Sequence, residues 1–351
     1  MRNESKPENE ISAMRIMVLA DYKIKAGSPP WLKVELDKFG YNAGLLGISN
    51  YNPRDETTSF GKIKTWFKYF GLAVSGVRKT KKDEVIITDN FVIGAIAAFI
   101  CKISGRKRKV IALNMIAHQK GFLNKVFRKF IYNIAFKYKN FWFSVNDEDL
   151  IARYSEQFKF PRSRIFILHD ALSTRYEQTD YQELDDYVFT GGDAFRDWPG
   201  FIKCAEELPD IQFIGVARHK YFPHEKMMPP NLKMYYDISS PEFYSLLKRS
   251  RIVFLPLNSM APCGLIVMMR AALFSKPVII TETASTKNYI SDKLSGRLIK
   301  MHDINEMKKA ILDLNNSQNS RKIYAENLKK YLINNFSTES NAKIINQIIR
   351  A

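Results

Sequence analysis

Residues 187–197 read YVFTGGDAFRD: an apolar run from Tyr187 to Thr190, a Gly191-Gly192 pair, then Arg196-Asp197 ahead of a helical stretch near Pro199. A buried strand that ends on glycines and feeds a helix is the repeating unit of a parallel, doubly wound sheet. The same alternation continues downstream. Strand-like runs stand at 212–216 (QFIGV), 232–236, 252–257 (IVFLPL) and 277–281, and helical stretches at 241–250, 265–275 and 305–315. The closing residues, 320–349, read as two helices divided near Asn335 and Ser337.

An equivalent series lies upstream, with strands at 15–20 (RIMVLA), 84–88, 109–113, 141–145 and 164–168, and helices at 31–39, 91–103, 121–138 and 148–157. Apolar runs too continuous for a half-exposed sheet indicate strands covered on both faces. The predicted organisation is a tail at 1–13, a Rossmann-like domain at 14–172, a polar acidic linker at 173–186, a second such domain at 187–332 and a C-terminal helix at 333–351. A length of 351 residues suits two domains of ordinary size. For tandem α/β domains the default ligand site is the cleft between them.

Composition narrows the class. Apolar residues make up 46% of the chain, which excludes a disordered or fibrous protein. Cys101, Cys204 and Cys263 are odd in number and far apart, as buried thiols in a reducing compartment would be. The opening residues carry Glu4, Glu8 and Glu10 where a secretory signal needs basic residues and an apolar run, and the apolar run 91–101 is short of the roughly 20 residues that span a bilayer. A cytoplasmic protein, soluble or peripheral on the inner face of the cell membrane, is expected. The net charge of +18 is uneven: about 31 Lys and Arg face 16 Asp and Glu in residues 1–175, against about 23 and 20 in the rest. The first half should therefore attract something anionic.

Two constellations carry candidate chemistry. In the first, Gly191 and Gly192 allow a ligand close to the backbone, and Arg196 offers a fork of donors for phosphate oxygens. In the second, 256–277 (PLNSMAPCGLIVMMRAALFSKP), a loop through Ser259 and Cys263 leads to Gly264 and Leu265, where a helix N-terminus suits a diphosphate. Leu265, Met268, Met269 and Leu273 supply core side chains there, so any binding comes from the Gly264 and Leu265 backbone. His118, in the loop NMIAHQKG, is a candidate base or sugar contact, and His169 a weaker one. Asp147-Glu148-Asp149 has the look of a metal-binding triplet. First-turn acids behind an Asn146 N-cap explain it better, and no metal is expected.

The order and spacing of FTGGDAFRDWPGFIKCAEELP, FIGVARHK, FLPL, the glycine-opened helix, SKPVIITETASTKNYI and SGRLIKMHDINEMKKAI resemble the donor domain of GT-B glycosyltransferases, family 4-like, over about 130 residues. The resemblance implies a GT-B fold, two doubly wound Rossmann-like domains facing across a cleft. It implies transfer of a sugar from a nucleotide-sugar donor to a polysaccharide, lipopolysaccharide or lipid-linked acceptor, without metal or cofactor. Arg196 and Arg218 would neutralise the departing diphosphate, and Ser259, Thr281, Thr283 and Ser285 would lie near sugar and ribose. Family 4 enzymes usually carry two glutamates eight apart around the glycine-opened helix. Here Ala261 and Met269 stand at those positions.

The basic half invites a surface reading. Arg106, Lys107, Arg108 and Lys109 form a run; Lys125, Arg128, Lys129 and Lys137 line one side of the helix at 121–138; and KIKTWFKYF (62–70) interleaves lysines with aromatics. Anionic lipid or a phosphorylated acceptor is the expected partner. The alternative is a non-catalytic GT-B-like or nucleic-acid-binding protein using those aromatics as a stacking platform, although no nucleic-acid motif is present and no such partner is expected.

Overall fold

The computed structural model describes residues 14–24, 29–48, 59–115, 122–173, 176–192, 195–219, 222 and 228–351, with backbone alone at 59, 60, 62 and 122–127. The chain divides into two compact units, residues 1–169 with 338–351, and residues 170–337.

In the first unit the chain runs β1 (Arg15–Ala20), α1 (Trp31–Lys38), β2 (Asn42–Gly47), α2 (Ser59–Lys79), β3 (Val85–Thr88), α3 (Phe91–Ile103) and β4 (Lys109–Ala112). It continues through α4 (Phe122–Ala135), β5 (Phe141–Val145), α5 (Glu148–Phe158) and β6 (Ile165–Ile167). Six parallel strands lie in the order β2-β1-β3-β4-β5-β6. Strand side chains alternate between faces. Accordingly Met17 and Leu19 join a core with α2, α3, α4 and α5, while Ile16 and Val18 join one with Leu32 and Leu36 of α1 and Ile345 and Ile349 of the closing helix. α3 is nearly all buried. A Cβ on its Gly94 would stand 2.3 Å from Ala112 Cβ, so only glycine lets the helix lie this close to the sheet.

In the second unit β7 (Tyr187–Gly191), α6 (Trp198–Glu207), β8 (Gln212–Ala217), β9 (Leu232–Tyr236), α7 (Ser240–Arg249) and β10 (Ile252–Leu255) lead to α8 (Leu265–Leu273). β11 (Val278–Thr281), β12 (Arg297–Ile299), α9 (Ile304–Asn315) and α10 (Gln318–Asn335) complete it, and α11 (Thr338–Arg350) returns to the first unit. The parallel order is β12-β11-β10-β7-β8-β9. Phe189, Val253 and Leu255 face α7, α8 and α10, and Val188, Ile252 and Phe254 face α6 and α9. Helix starts follow local chemistry: Ser239 and Glu242 form a capping box on α7, and Asp197 caps α6 by accepting from Gly200 N at 3.0 Å.

Three expectations change. The acidic segment 173–186 is bound into the second unit, because Lys276 Nζ donates to Gln182 O at 2.6 Å, Ser275 Oγ to Thr179 O at 2.6 Å, and Arg321 Nε to Glu183 at 2.7 Å. The C-terminal stretch divides at 337, with α10 in one unit and α11 in the other. α11 is fastened there by Lys109 Nζ on Ile348 O at 2.6 Å and by Tyr41 Oη on Asn346 Oδ1 at 2.6 Å. The N-cap of α5 is Asp147 rather than Asn146, with Asp147 Oδ1 accepting from Asp149 N at 2.9 Å.

Candidate functional site

In the second unit the chain leaves β7 toward β8 and β9 on one side and returns to β10 on the other, so β7 and β10 flank the topological switch point. In open α/β sheets the ligand crevice lies beyond the carboxyl ends of the strands at such a point. Gly192 follows β7 with φ +118°, a conformation that a side chain would strain. Arg196 folds back to donate from Nε to Gly191 O at 2.9 Å. The loops after β7 and β10 are joined by Asp197 N to Pro256 O and Asn258 N to Phe195 O, both 3.0 Å, and Leu257 N donates to Thr281 Oγ1 at 2.8 Å. Gly264 caps α8 with φ +79°.

The Arg196 guanidinium lies between the two glycine turns. A Cβ on Gly192 would stand 2.9 Å from its Nη2, and one on Gly264 3.5 Å from its Nη1. A sequence view makes Arg196 a surface arginine; in the structure it is 5% exposed. Its charge partly opposes the upward push that burial gives the Cys263 thiol.

The other predicted donor residues fall around this edge with different freedom. Arg218, just past β8, is exposed. Ser259 Oγ accepts from Ala261 N at 3.1 Å, and the Thr283 hydroxyl accepts from Thr286 N at 3.1 Å, so both already shape their own turns. The Ser285 side chain makes no capping bond to the short helical turn that follows it. Cys263, Leu265 and Met269 are buried in the core under α8. His118 lies outside the described residues, as does the side chain of Lys125.

The basic run 106–109 is largely committed to the fold. Arg106 Nη1 donates to Val77 O at 3.1 Å and Arg108 Nε to Thr80 O at 3.1 Å, both near the end of α2. Lys109 holds the end of α11, and its ammonium sits 5.2 Å from the Trp142 ring centroid, where burial lowers its pKa. This run leads into β4, whose first residue is Lys109, and so stands at the amino end of the strands, the edge opposite the usual ligand side.

Two pairs escape sequence reasoning. In the first, His302 Nδ1 lies 2.8 Å from Asp197 Oδ2; the carboxylate is nearly buried and the ring more than half exposed. In the second, Asp21 and Asp89 follow β1 and β3, the strands that flank the first unit's switch point. Asp21 N donates to Asp89 Oδ1 at 3.2 Å, and Asn90 Nδ2 to Asp21 Oδ2 at 2.8 Å. Burial, reinforced by Asp21, pushes the Asp89 pKa up to about 8. The available signal was an aspartate directly after each buried strand, LAD and IITD. Among the described residues no group of three or more His, Cys, Asp or Glu is placed to hold a metal ion.

Residues 215–331 match the family glycosyl transferases group 1. Sucrose-phosphate synthase from Thermosynechococcus elongatus superposes with a TM-score of 0.69 at 11% identity, covering 96% of this chain and 98% of that one. HepE of Anabaena, solved in complex with UDP-glucose, gives a TM-score of 0.64 at 12% identity, covering 96% and 99%. A glycosyltransferase from Rickettsia africae gives 0.68 at 11% identity, covering 96% and 98%. The fold is GT-B. No protein of curated function matches the sequence. In GT-B terms the family match falls on the second unit, from within β8 through most of α10, and includes Arg218, the loop after β10 and Gly264.

Proposed function

We propose that this GT-B protein transfers a sugar from a nucleotide-sugar donor to a glycan or lipid-linked acceptor, without a metal ion. The carrying observation is the Arg196 guanidinium fixed between Gly192 and Gly264 at the switch point of the second unit. A donor's diphosphate would lie along this edge, with Arg218 from the β8 side and the backbone N–H groups opening α8 as donors. A UDP-sugar is the first candidate, as HepE was solved with UDP-glucose.

In the reaction an acceptor hydroxyl oxygen bonds to the anomeric carbon, the bond from that carbon to the diphosphate oxygen breaks, and the hydroxyl proton leaves. Negative charge grows on the diphosphate as this proceeds, so a fixed cation and oriented N–H groups stabilise the transition state more than the bound donor. His118 is assigned to the proton on sequence grounds.

A thermal-shift screen across UDP-, GDP-, dTDP- and CMP-sugars tests donor binding, since a ligand at about 100 times its dissociation constant adds roughly 2.7 kcal/mol. No response to any of them by the folded protein would overturn the proposal. The non-catalytic alternative has one observation in its favour: Ala261 and the buried Met269 stand where the related enzymes usually carry glutamates. It predicts stabilisation by a donor with no release of nucleotide.

A further inference from the structure

Two helices of the first unit carry large apolar side chains on their outer faces. On α2, Ile63 is 54% and Phe67 75% exposed, and on α4 Phe130 is 56% exposed. Ile63 and Phe67 are four residues apart and share a helix face, while Thr65, Tyr69, Leu72 and Ala73 of α2 are buried on the other side. The helices are linked by Arg128, whose Cζ stands 6.0 Å from the Trp66 ring centroid. Phe130 meets Phe99 of α3 edge to face at 6.0 Å, and Ile103, one turn beyond Phe99, is also exposed. A single exposed apolar residue is ordinary, whereas several on neighbouring helices mark an interaction surface.

Charge identifies the partner. α2 contains Lys62, Lys64, Lys68, Arg78 and Lys79, α4 contains Lys125, Arg128 and Lys129, and neither helix has an Asp or Glu. Lys64 and Lys129 are exposed beside Phe67 and Phe130. We propose that this face docks on an anionic bilayer surface, with Phe67 and Phe130 entering the headgroup region and Lys64 and Lys129 against lipid phosphates. A nucleic acid would use the cations and could stack on the rings, but Ile63 and Ile103 offer bases nothing. All four apolar side chains gain by leaving water for acyl chains. Among the described residues no helix is long and apolar enough to cross a membrane, so the contact is peripheral. It narrows the basic surface read from the sequence to the parts on α2 and α4, and it holds whether or not the protein transfers a sugar.

Flotation with vesicles of phosphatidylcholine, alone or mixed with phosphatidylglycerol, needs no donor and so tests this separately from the reaction. Wild-type protein should float with the mixed vesicles and less so as salt rises. Phe67→Ser with Phe130→Ser should lower apparent affinity at least roughly tenfold, as lost apolar burial predicts. Lys64→Gln with Lys129→Gln should lower it by about the same factor. Both pairs are exposed, so the melting temperature should hold, and a circular dichroism melt verifies that the variants are folded. Undiminished flotation of the aromatic variant would overturn the proposal. So would wild-type protein that ignores phosphatidylglycerol yet binds single-stranded RNA.

Discussion

Replacing Arg196 by alanine tests the structure and the proposed site together. The guanidinium is 5% exposed, and its Nε holds the Gly191 carbonyl at 2.9 Å. Removing it strips that buried acceptor of a charge-assisted donor, a loss of about 1–3 kcal/mol, and empties the space between two glycine turns. Together these predict destabilisation of about 2–4 kcal/mol. A truly superficial arginine would cost within about 0.5 kcal/mol. Urea denaturation of wild type, Arg196→Ala and Arg196→Lys measures the difference. Lysine should recover little, because an ammonium cannot reproduce a guanidinium fork that serves Gly191 O while lying against both turns. Donor-induced stabilisation should also fall in both variants under conditions where they remain folded. An unchanged denaturation midpoint in Arg196→Ala would refute the argument that this side chain fixes the turn. A changed midpoint with unchanged donor response would confine Arg196 to a structural role.

Asp89 should give the fold a measurable pH dependence. Its folded pKa of about 8 lies above the ordinary 3.8, so its stabilising contribution is full below the ordinary value and is lost as pH rises toward 8. Asp89→Asn should flatten that decline and be the more stable protein near pH 8; urea melts across this range decide it, and parallel curves would reject it. Asp197→Ala should cost about 1 kcal/mol through the lost cap on α6, whereas His302→Ala should change stability by less than about 0.5 kcal/mol, since the ring is more than half exposed; equal losses in chemical denaturation would show that the imidazole is a structural strut.

Elements with an uninterrupted apolar run were legible in the sequence, including β1, β7 and β10, and so was the division of the closing helices near 335–337. β2 was not: NAGLLG has no β-branched residue and two glycines, and it becomes a strand because β1 offers it a parallel edge. α2 was hidden for the opposite reason. Its buried face mixes Gly61, Thr65, Ala73 and Gly76 with Tyr69, Leu72 and Val77, while Ile63, Phe67 and lysines stand on its exposed side, so the periodicity that marks a helix is blurred. At the site, Gly192 and Gly264 were legible because a positive φ leaves a mark on residue type, and Gly191 because a Cβ there would meet the Phe243 ring at 2.5 Å. The burial of Arg196 was not, because it depends on loops after two strands more than 50 residues apart in sequence. The Asp197 and His302 pair spans 105 positions and has no local pattern at all.

Under the proposed function, the same contacts narrow what could recognise a donor on this edge. A sugar or ribose hydroxyl needs an acceptor, which the usual glutamates would supply and which Ala261 and Met269 do not. Thr281 Oγ1 already takes Leu257 N, Ser259 Oγ takes Ala261 N, and the Thr283 and Thr286 hydroxyls bond within one turn. Each such oxygen already holds a loop. What stands differently placed is the His302 imidazole, oriented through Nδ1 by a buried carboxylate and more than half exposed. A ring nitrogen so oriented leaves Nε2 for an outside partner. Under the proposed function, the charge complementarity of such a site would come from Arg196 and the opening of α8. On that reading, hydroxyl recognition would fall to backbone carbonyls and His302, since Ser285 is buried and the other hydroxyls hold loops.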